Sequence, residues 1–362
     1  MTAPSETARA WVDVDLDALV ANARTLAAAC GTPLLPMVKA NGYGLGAIRV
    51  ALALQPLGPW GYGVATPEEG AALREAGVQR PILVVSPLTR ETLESTVSLG
   101  FRPAIGEPEM LRAWLARTEA PFHLEIDTGM ARGGIRWSDA AAVAACAGEL
   151  AAASGWEGVF THFHSADTDE GSIAEQWSRF QTTLAAFPRR PSLVHAANSA
   201  AALCGRTYAA DMIRPGIFLY GGEARRQGPA PLPVAALRAR VAAVRRVGPG
   251  ESVSYGATWI ADRPTTIATL AIGYADGLPR AAERGAERPP RVVELGGRRV
   301  PMVGRVTMDM CMVAVDDGRV AVGDVATIFG GVITLDQQAD SVGTIAYELL
   351  TSLGPRLPRR YR

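Results

Sequence analysis

The chain contains few of the residues that bind metals or form disulfides. Among its 362 residues there are four cysteines and four histidines. The cysteines are scattered along the chain as Cys30, Cys146, Cys204 and Cys311. They form no Cys-x-x-Cys pair, which argues against a zinc site or a disulfide framework and is typical of a reducing compartment. His162 and His164 have no further Cys or His close to them in sequence, so we expect no metal site.

The chain also lacks a net charge and a long apolar run. It has 36 basic and 36 acidic residues, so no overall attraction to nucleic acid or to a membrane surface is expected. The alanine-rich stretch 140–153 is interrupted by Cys146, Gly148 and Glu149, which predicts a helix of a soluble domain and not a membrane span. The first ten residues contain no apolar core of a secretory signal, and we expect a cytoplasmic protein.

The first two-thirds of the chain alternates between strand-like and helical patterns. Apolar runs typical of strands occur at residues 34–38, 61–65, 81–85, 122–126, 158–160 and 193–196. Helical patterns lie between them at residues 16–29, 67–76, 108–116 and 175–187. This alternation predicts parallel βαβ units. No G-x-G-x-x-G motif follows the first strand, so we predict an α/β fold of the (β/α)₈ TIM-barrel type and not a doubly wound sheet.

The pattern changes at a Pro- and Gly-rich segment, residues 228–233, which indicates a domain edge. Beyond it, short β-branched runs separated by Gly-rich turns predict a mostly antiparallel C-terminal β domain, closed by one helix over residues 339–352. The predicted strands are residues 239–247, 266–272, 291–295, 299–303, 310–315 and 325–329. We therefore predict a barrel over residues 11–230 and a β domain over residues 231–362, with residues 1–10 packed against the β domain.

Lys39 directly follows the apolar run at residues 34–38. A barrel enzyme carries its chemistry at the carboxyl ends of its strands, and a desolvated amine there is a competent nucleophile or base. On spacing alone, a surface lysine before a turn is an equally good interpretation.

Three other polar residues stand in patterns that have a structural interpretation as well as a functional one. Arg214 begins an apolar run and could simply pair with a carboxylate at a strand edge. Ser199, after Asn198, could belong to a helix N-cap or to an anion site. Tyr255 could be a base or a tyrosine in a cross-strand pair of the β domain.

Segments along the chain resemble, in order, motifs of the alanine racemase family. The members of this family are fold-type III enzymes that depend on pyridoxal phosphate (PLP). The matching segments are VKANGYG at 38–44, DTGMARGG at 127–134, THF at 161–163, HAANSAA at 195–201, RPGIFLYG at 214–221, SYG at 254–256, IGYADG at 272–277 and GRVTMD at 304–309. The chain departs from the usual motif at Gly42, where alanine is common, and at Leu45, where histidine is common.

The resemblance implies a role for each matching residue. Lys39 and Tyr255 would be the two catalytic bases. PLP would be bound by Lys39, Tyr43, Arg132, His162, Ser199, Arg214, Gly216, Ile217 and Tyr347. The substrate would be contacted by Arg132, Tyr274 and Met308. Many relatives carry a carbamylated lysine where this chain has Glu125, so we expect the glutamate to supply the negative charge directly, without dependence on carbon dioxide.

The activity that the resemblance implies is racemisation of L-alanine and D-alanine, supplying D-alanine for peptidoglycan. It also implies a head-to-tail homodimer in which Tyr255 and Met308 reach the other subunit's active site. A racemase of serine or of broader specificity shares nearly all of these motifs. A PLP-dependent decarboxylase on the same barrel is less consistent with the sequence, because it pairs the pyridine nitrogen with a carboxylate and its catalytic cysteine motif is missing here.

Overall fold

The computed structural model describes residues 7–280, 289–316 and 319–362. Residues 1–6 of the predicted N-terminal segment lie outside these ranges. The predicted combination of a parallel barrel and a mostly antiparallel β domain is confirmed.

The barrel is built from short parallel strands that pair in chain order. They are Tyr62–Val64, Ile82–Pro87, Arg102–Ile105, Phe122–Asp127, Trp156–Phe160 and Leu193–His195, and Ile135–Arg136 pairs beside Phe122–Asp127. Residues 34–38 and 213–215 complete the ring. The amide of Leu35 donates to the carbonyl of Ile213 at 2.8 Å, and that of Val38 donates to the carbonyl of Gly63 at 2.8 Å.

The predicted strand at residues 34–38 is wrong in its extent. This segment makes only isolated bridges, Leu34 with Ile213 and Met37 with Gly63. Pro33 and Pro36 have no amide hydrogen to donate, so a continuous ladder cannot form there. The segment still fills the strand position that leads into Lys39.

Helices alternate with the barrel strands along the chain and bury one apolar face. In Leu16–Cys30 the buried residues include Leu19, Ala23 and Leu26 at helical spacing, and the Asp15 side chain caps the first turn by accepting from the amide of Ala18. The other α-helices of the barrel half are Ala47–Leu54, Pro67–Glu75, Arg90–Ser98, Pro108–Arg117, Ala140–Leu150, Glu170–Ala185 and Ser199–Ala202, and Lys39–Tyr43 forms a single turn with left-handed residues. Short 3₁₀ helices occur at Gln55–Leu57, Arg206–Tyr208, Ile217–Tyr220, Tyr255–Ala257 and Tyr274–Asp276.

Across the described ranges, no helix combines the length and the apolar character needed to cross a bilayer.

The second sheet is mostly antiparallel and contains both ends of the described chain. Its strands lie in the order Thr265–Leu270, Cys311–Val315, Arg298–Val303, Val292–Leu295, Val325–Phe329, Ala235–Val247, Ala10–Val14 and Arg359–Tyr361. Thr265–Leu270 also pairs with Ala235–Val247, which curls the sheet on itself. Ser252–Val253 and Trp259–Ile260 form a separate hairpin.

The last strand ties the β domain to the segment that follows Lys39. The Tyr361 hydroxyl donates to the carbonyl of Leu45 at 3.0 Å, and Arg359 Nε donates to the carbonyl of Gly44 at 2.9 Å. The two parts of the fold are therefore joined next to the candidate site.

The single helix predicted over residues 339–352 is wrong. Two helices occupy this region, Leu335–Val342 and Ala346–Thr351. Gly343 ends the first helix in a left-handed conformation with φ of 73°, which glycine adopts at little cost.

Candidate active site

A cavity of about 520 Å³ opens at the carboxyl ends of the barrel strands. It collects all nine residues predicted to bind the cofactor, together with Glu125. These are Lys39, Tyr43, Arg132, His162, Ser199, Arg214, Gly216, Ile217 and Tyr347. The carboxyl end of a barrel is the face where active sites of this fold lie.

Several wall residues of the cavity were not singled out in the sequence. They are Met37, Ala40, Val85, Ser86, Pro87, Gly133, Phe160 and Thr351. Ser86 could have been found, because it is a polar residue at the carboxyl end of the strand Ile82–Pro87. The apolar members offer no such signal.

Lys39 begins a turn with an unusual backbone. Residues 40–43 all have left-handed conformations, with φ between 52° and 62°. Ala40 and Tyr43 each cost about 1–2 kcal/mol in this conformation, whereas Gly42 and Asn41 tolerate it better. Glu69 supports the turn by accepting from the amides of Ala40 at 2.7 Å and Ala65 at 2.8 Å. Strain of this kind is typical of functional sites.

The surroundings of Lys39 favour its neutral amine. Burial lowers the pKa of Lys39, and the positive charges of Arg132 and Arg214 lower it further. Glu69 opposes this effect only in part. A lysine with a lowered pKa can act as a nucleophile or a base near neutral pH.

One wall of the cavity groups hydroxyl and amide donors. Asn198 caps the helix Ser199–Ala202 by accepting from the amide of Ala201 at 3.0 Å, so the N-cap interpretation of this pair is correct for Asn198. The Ser199 hydroxyl accepts from the amide of Gly216 at 2.8 Å and keeps its own hydrogen for another partner.

Two tyrosines complete this wall. The ring of Tyr43 stacks on Tyr220 with centroids 4.4 Å apart, and its centroid lies 6.0 Å from that of Tyr347. Burial raises the pKa of Tyr43, and it raises that of Tyr347 to about 12. Both phenols therefore stay protonated near neutral pH and can donate to an anion.

Arg214 is buried and held at several points. Its Nη2 donates to the carbonyls of Thr161 at 2.7 Å and Ala196 at 3.1 Å, and its Nη1 donates to His195 Nδ1 at 2.8 Å. Burial lowers the pKa of Arg214 to about 10, which leaves the guanidinium charged near neutral pH. Its Nη2 also lies 3.3 Å from Nδ1 of His162.

The buried charges of the site act on His162 and Glu125. Burial and the neighbouring Arg214 and Arg132 lower the pKa of His162 to about 3, so its ring is neutral. Burial raises the pKa of Glu125, while Arg132 and Arg214 act in the opposite direction. The cavity thus places the Glu125 carboxyl group among the side chains of Arg132, Arg214 and Lys39.

Tyr255, Tyr274 and Met308 do not line this cavity. They lie on the surface of the β domain and are 69%, 42% and 54% exposed. Tyr274 and Met308 are on adjoining loops, since the amide of Ala275 donates to the carbonyl of Met308 at 3.0 Å.

His164 is exposed and its Nδ1 lies 2.6 Å from the Ser165 hydroxyl. Among the residues that the structure describes, no group of three or more His, Cys, Asp and Glu could hold a metal ion.

The donor set of the cavity fits PLP, which carries an aldehyde, a ring nitrogen and a phosphate. A lysine with a lowered pKa can bind the aldehyde, a buried guanidinium can donate to the ring nitrogen, and hydroxyl donors from Ser199, Tyr43 and Tyr347 suit the phosphate.

Comparison with known proteins identifies the family of the chain. Residues 14–224 match the family described as alanine racemase, N-terminal domain, and residues 234–361 match alanine racemase, C-terminal domain. Proteins named alanine racemase from Desulfovibrio desulfuricans and Deinococcus radiodurans are 38% and 40% identical, covering 97% of this chain and 97% and 99% of theirs. The crystal structure of alanine racemase from Bartonella henselae with covalently bound pyridoxal phosphate matches with a TM-score of 0.89 and 30% identity, over 98% of this chain and 100% of that one. The chain therefore belongs to the alanine racemase family of PLP-dependent isomerases.

Proposed function

We propose that the chain interconverts L-alanine and D-alanine with Lys39 and Tyr255 as the two bases, one on each face of the substrate Cα. The observation that carries this proposal is the environment of Lys39. This lysine lies in one cavity with Arg214 and with the hydroxyls of Ser199, Tyr43 and Tyr347. Burial and the neighbouring positive charges lower its pKa. Tyr255 is proposed from its segment alone, because it lies outside this cavity.

The cavity residues would divide the work of holding PLP. Lys39 would bind the aldehyde carbon. Ser199, Tyr43, Tyr347 and the backbone of Gly216 and Ile217 would bind the phosphate, and His162 would pack against the ring. Arg132 would contact the phenolate oxygen and the substrate carboxylate. When bound, PLP supplies an electron sink that makes the Cα proton of an amino acid acidic enough to remove.

Arg214 would control how strongly the ring withdraws electrons. A guanidinium with a pKa of about 10 keeps its proton near neutral pH, so it donates a hydrogen bond to the ring nitrogen without protonating it. An unprotonated ring is a weaker electron sink, which favours return of the proton to Cα over side reactions. A decarboxylase would need a carboxylate where Arg214 lies.

We further propose that two copies of the chain associate head to tail, so that Tyr255, Tyr274 and Met308 complete the other copy's site. Their exposure on the β domain supports this arrangement, because a phenol and a thioether exposed to solvent are then covered. In this proposal residues 11–230 carry the cofactor and residues 231–362 carry the second base. The enzyme would work in the cytoplasm and supply D-alanine for peptidoglycan.

The proposal is tested with the purified protein by an absorption spectrum, followed by conversion of L-alanine to D-alanine on the same sample. A visible band of covalently bound PLP together with conversion is the expected result. A band without conversion of alanine, but with conversion of serine or other amino acids, would change the substrate and keep the chemistry. No band after addition of PLP would contradict the role of Lys39.

A further inference from the structure

Behind Arg214, hydrogen-bonded side chains run from the cavity into the interior of the barrel. Arg214 Nη1 lies 2.8 Å from His195 Nδ1, and His195 Nε2 lies 2.8 Å from His123 Nδ1. His123 Nε2 lies 3.2 Å from Glu157 Oε2, which also accepts from Arg102 Nε at 3.0 Å. We call His195, His123 and Glu157 the His-His-Glu chain. Neither imidazole has any exposed surface.

The surrounding residues form a close-fitting enclosure for the two imidazoles. The His195 ring stacks on Phe160 with ring centroids 5.1 Å apart. The centroids of the His123 and Trp60 rings are 5.5 Å apart. A Cβ at Gly158 would lie 2.5 Å from His123 Nδ1, so a glycine is required beside this ring. A specific geometry is therefore imposed on the contact between the two histidines.

Arg214 and Glu157, at the two ends of the His-His-Glu chain, determine which ring nitrogens carry the protons. A guanidinium has N–H donors and no acceptor atom, so Arg214 donates to His195 Nδ1. This ring nitrogen must therefore carry no proton. Burial lowers the pKa of both histidines, so each imidazole is neutral and carries one proton. The proton of His195 is then on Nε2 and is donated to a bare Nδ1 of His123, and the proton of His123 is on Nε2 and is donated to Glu157.

Glu157, at the far end of the His-His-Glu chain, can only accept hydrogen bonds. Burial alone would raise the pKa of Glu157, but hydrogen bonds from His123 and Arg102 lower it to about 2. Glu157 is therefore a carboxylate near neutral pH and can only accept a hydrogen bond.

We propose that the His-His-Glu chain positions Arg214: Glu157 fixes one order of protons along the two imidazoles, and that order turns the acceptor nitrogen of His195 toward the guanidinium. Its consequence for catalysis rests on the proposed function, in which Arg214 faces the ring of PLP. The opposite order would place an N–H of His195 against the guanidinium and displace it. Glu157 and His123 are thus positioning residues that touch neither cofactor nor substrate.

The test reads the proton positions directly in the full-length protein labelled with ¹⁵N in the histidine rings, with and without PLP. Only four histidines are present, and His164→Gln assigns the exposed one. We expect His195 and His123 to be neutral, protonated at Nε2 and bare at Nδ1. A proton on His195 Nδ1 in the unaltered protein would overturn the proposal.

Two variants of Glu157 separate its charge from its shape. Glu157→Gln keeps an acceptor, and we expect the histidine proton positions to be unchanged. Glu157→Met removes the acceptor, and we expect a measurable fraction of His195 to carry its proton on Nδ1 and kcat for alanine to fall roughly five- to tenfold with little change in KM. The matched control is Glu94→Met, which removes the carboxylate of an exposed pair with Arg117.

If Glu157→Met leaves both the His195 spectrum and kcat as in the unaltered protein, Glu157 does not set the order. A third variant, Gly158→Ala, keeps every hydrogen-bonding group but pushes on the His123 ring, and it should give the same change in the His195 spectrum. The spectra without PLP do not depend on racemase activity. A failure of the proposed function would appear as absent conversion with the expected histidine spectrum.

Discussion

Gly216 lies directly against the hydroxyl of Tyr43, so that a Cβ at position 216 would overlap it. The two residues face the same cavity, and Gly216 also donates its amide to Ser199. The absence of a side chain at this position thus allows a tyrosine, a serine and a backbone amide to meet at one point. The contact explains why glycine is required in the wall that we assign to the phosphate.

Gly216→Ala should weaken the binding of PLP. The ring of Tyr43 is buried and stacked on Tyr220, so a shift that relieves the overlap would disturb this contact. We expect the dissociation constant for PLP to rise about tenfold, which corresponds to about 1.4 kcal/mol, in an absorbance titration. Gly148→Ala is the control, because a Cβ there meets nothing within 4 Å. Equal affinity in the two variants would show that the close contact is irrelevant to the cofactor.

Tyr255→Phe should separate cofactor binding from racemisation. We expect the visible band of bound PLP to remain, because Tyr255 lies outside the cavity, while kcat for alanine falls by about 10²–10⁴ in a coupled assay for D-alanine. Lys39→Ala should lose the band itself. The control is Tyr208→Phe, a residue of the barrel half packed against Trp177. Normal racemisation by Tyr255→Phe would contradict the two-base assignment.

The activity should not depend on carbon dioxide. In the proposed function Glu125 supplies the negative charge beside Arg132 without carbamylation, so removal of bicarbonate should leave kcat/KM for alanine unchanged. Glu125→Gln removes the charge that faces Arg132 and Arg214, and we expect KM for alanine to rise roughly tenfold. The exposed Glu75→Gln serves as its control. Stimulation of the unaltered enzyme by bicarbonate would contradict this account.

His162 should make the protein sensitive to acid. A histidine has a pKa near 6.5 when unfolded and about 3 in this site. Between these values the unfolded chain binds a proton that the folded chain does not, so stability is lost as pH falls. We expect His162→Gln to flatten this dependence by at most about 1.4 kcal/mol per pH unit, measured by urea unfolding without PLP at pH 7 to 4. If the variant follows the same pH dependence as the exposed His164→Gln, the assigned shift is wrong.

The alternation of strands and helices was enough to predict the barrel and the β domain, because each strand run is short, apolar and bounded by turn residues. The strand Arg102–Ile105 was not among the predicted strands, since four residues containing arginine and proline give no apolar run. The left-handed turn at residues 40–43 was also beyond prediction. Ala40 and Tyr43 ordinarily avoid this conformation, and part of its support comes from the distant residue Glu69, which accepts from the amide of Ala40.

The candidate site was predictable where a charged residue borders an apolar run, as Lys39 does at the end of one run and Arg214 at the start of another. The His-His-Glu chain was not, because His123 and Glu157 lie inside strands and look like ordinary members of the sheet. Their contact depends on the pairing of neighbouring strands, in which His123 lies opposite Gly158. The exposed position of Tyr255 was likewise invisible in the sequence.

The most direct test of the central claim is to mix two inactive variants, Lys39→Ala and Tyr255→Phe, after gentle dissociation and reassociation. If two copies share each site, a hybrid dimer contains one site with an intact Lys39 from one chain and an intact Tyr255 from the other. We expect each variant alone to be inactive and the mixture to recover up to about a quarter of the unaltered activity, because half of the dimers are hybrids with one working site of two. If hybrid dimers form, as seen by mass, and the mixture stays inactive, then Lys39 and Tyr255 do not act together across two chains.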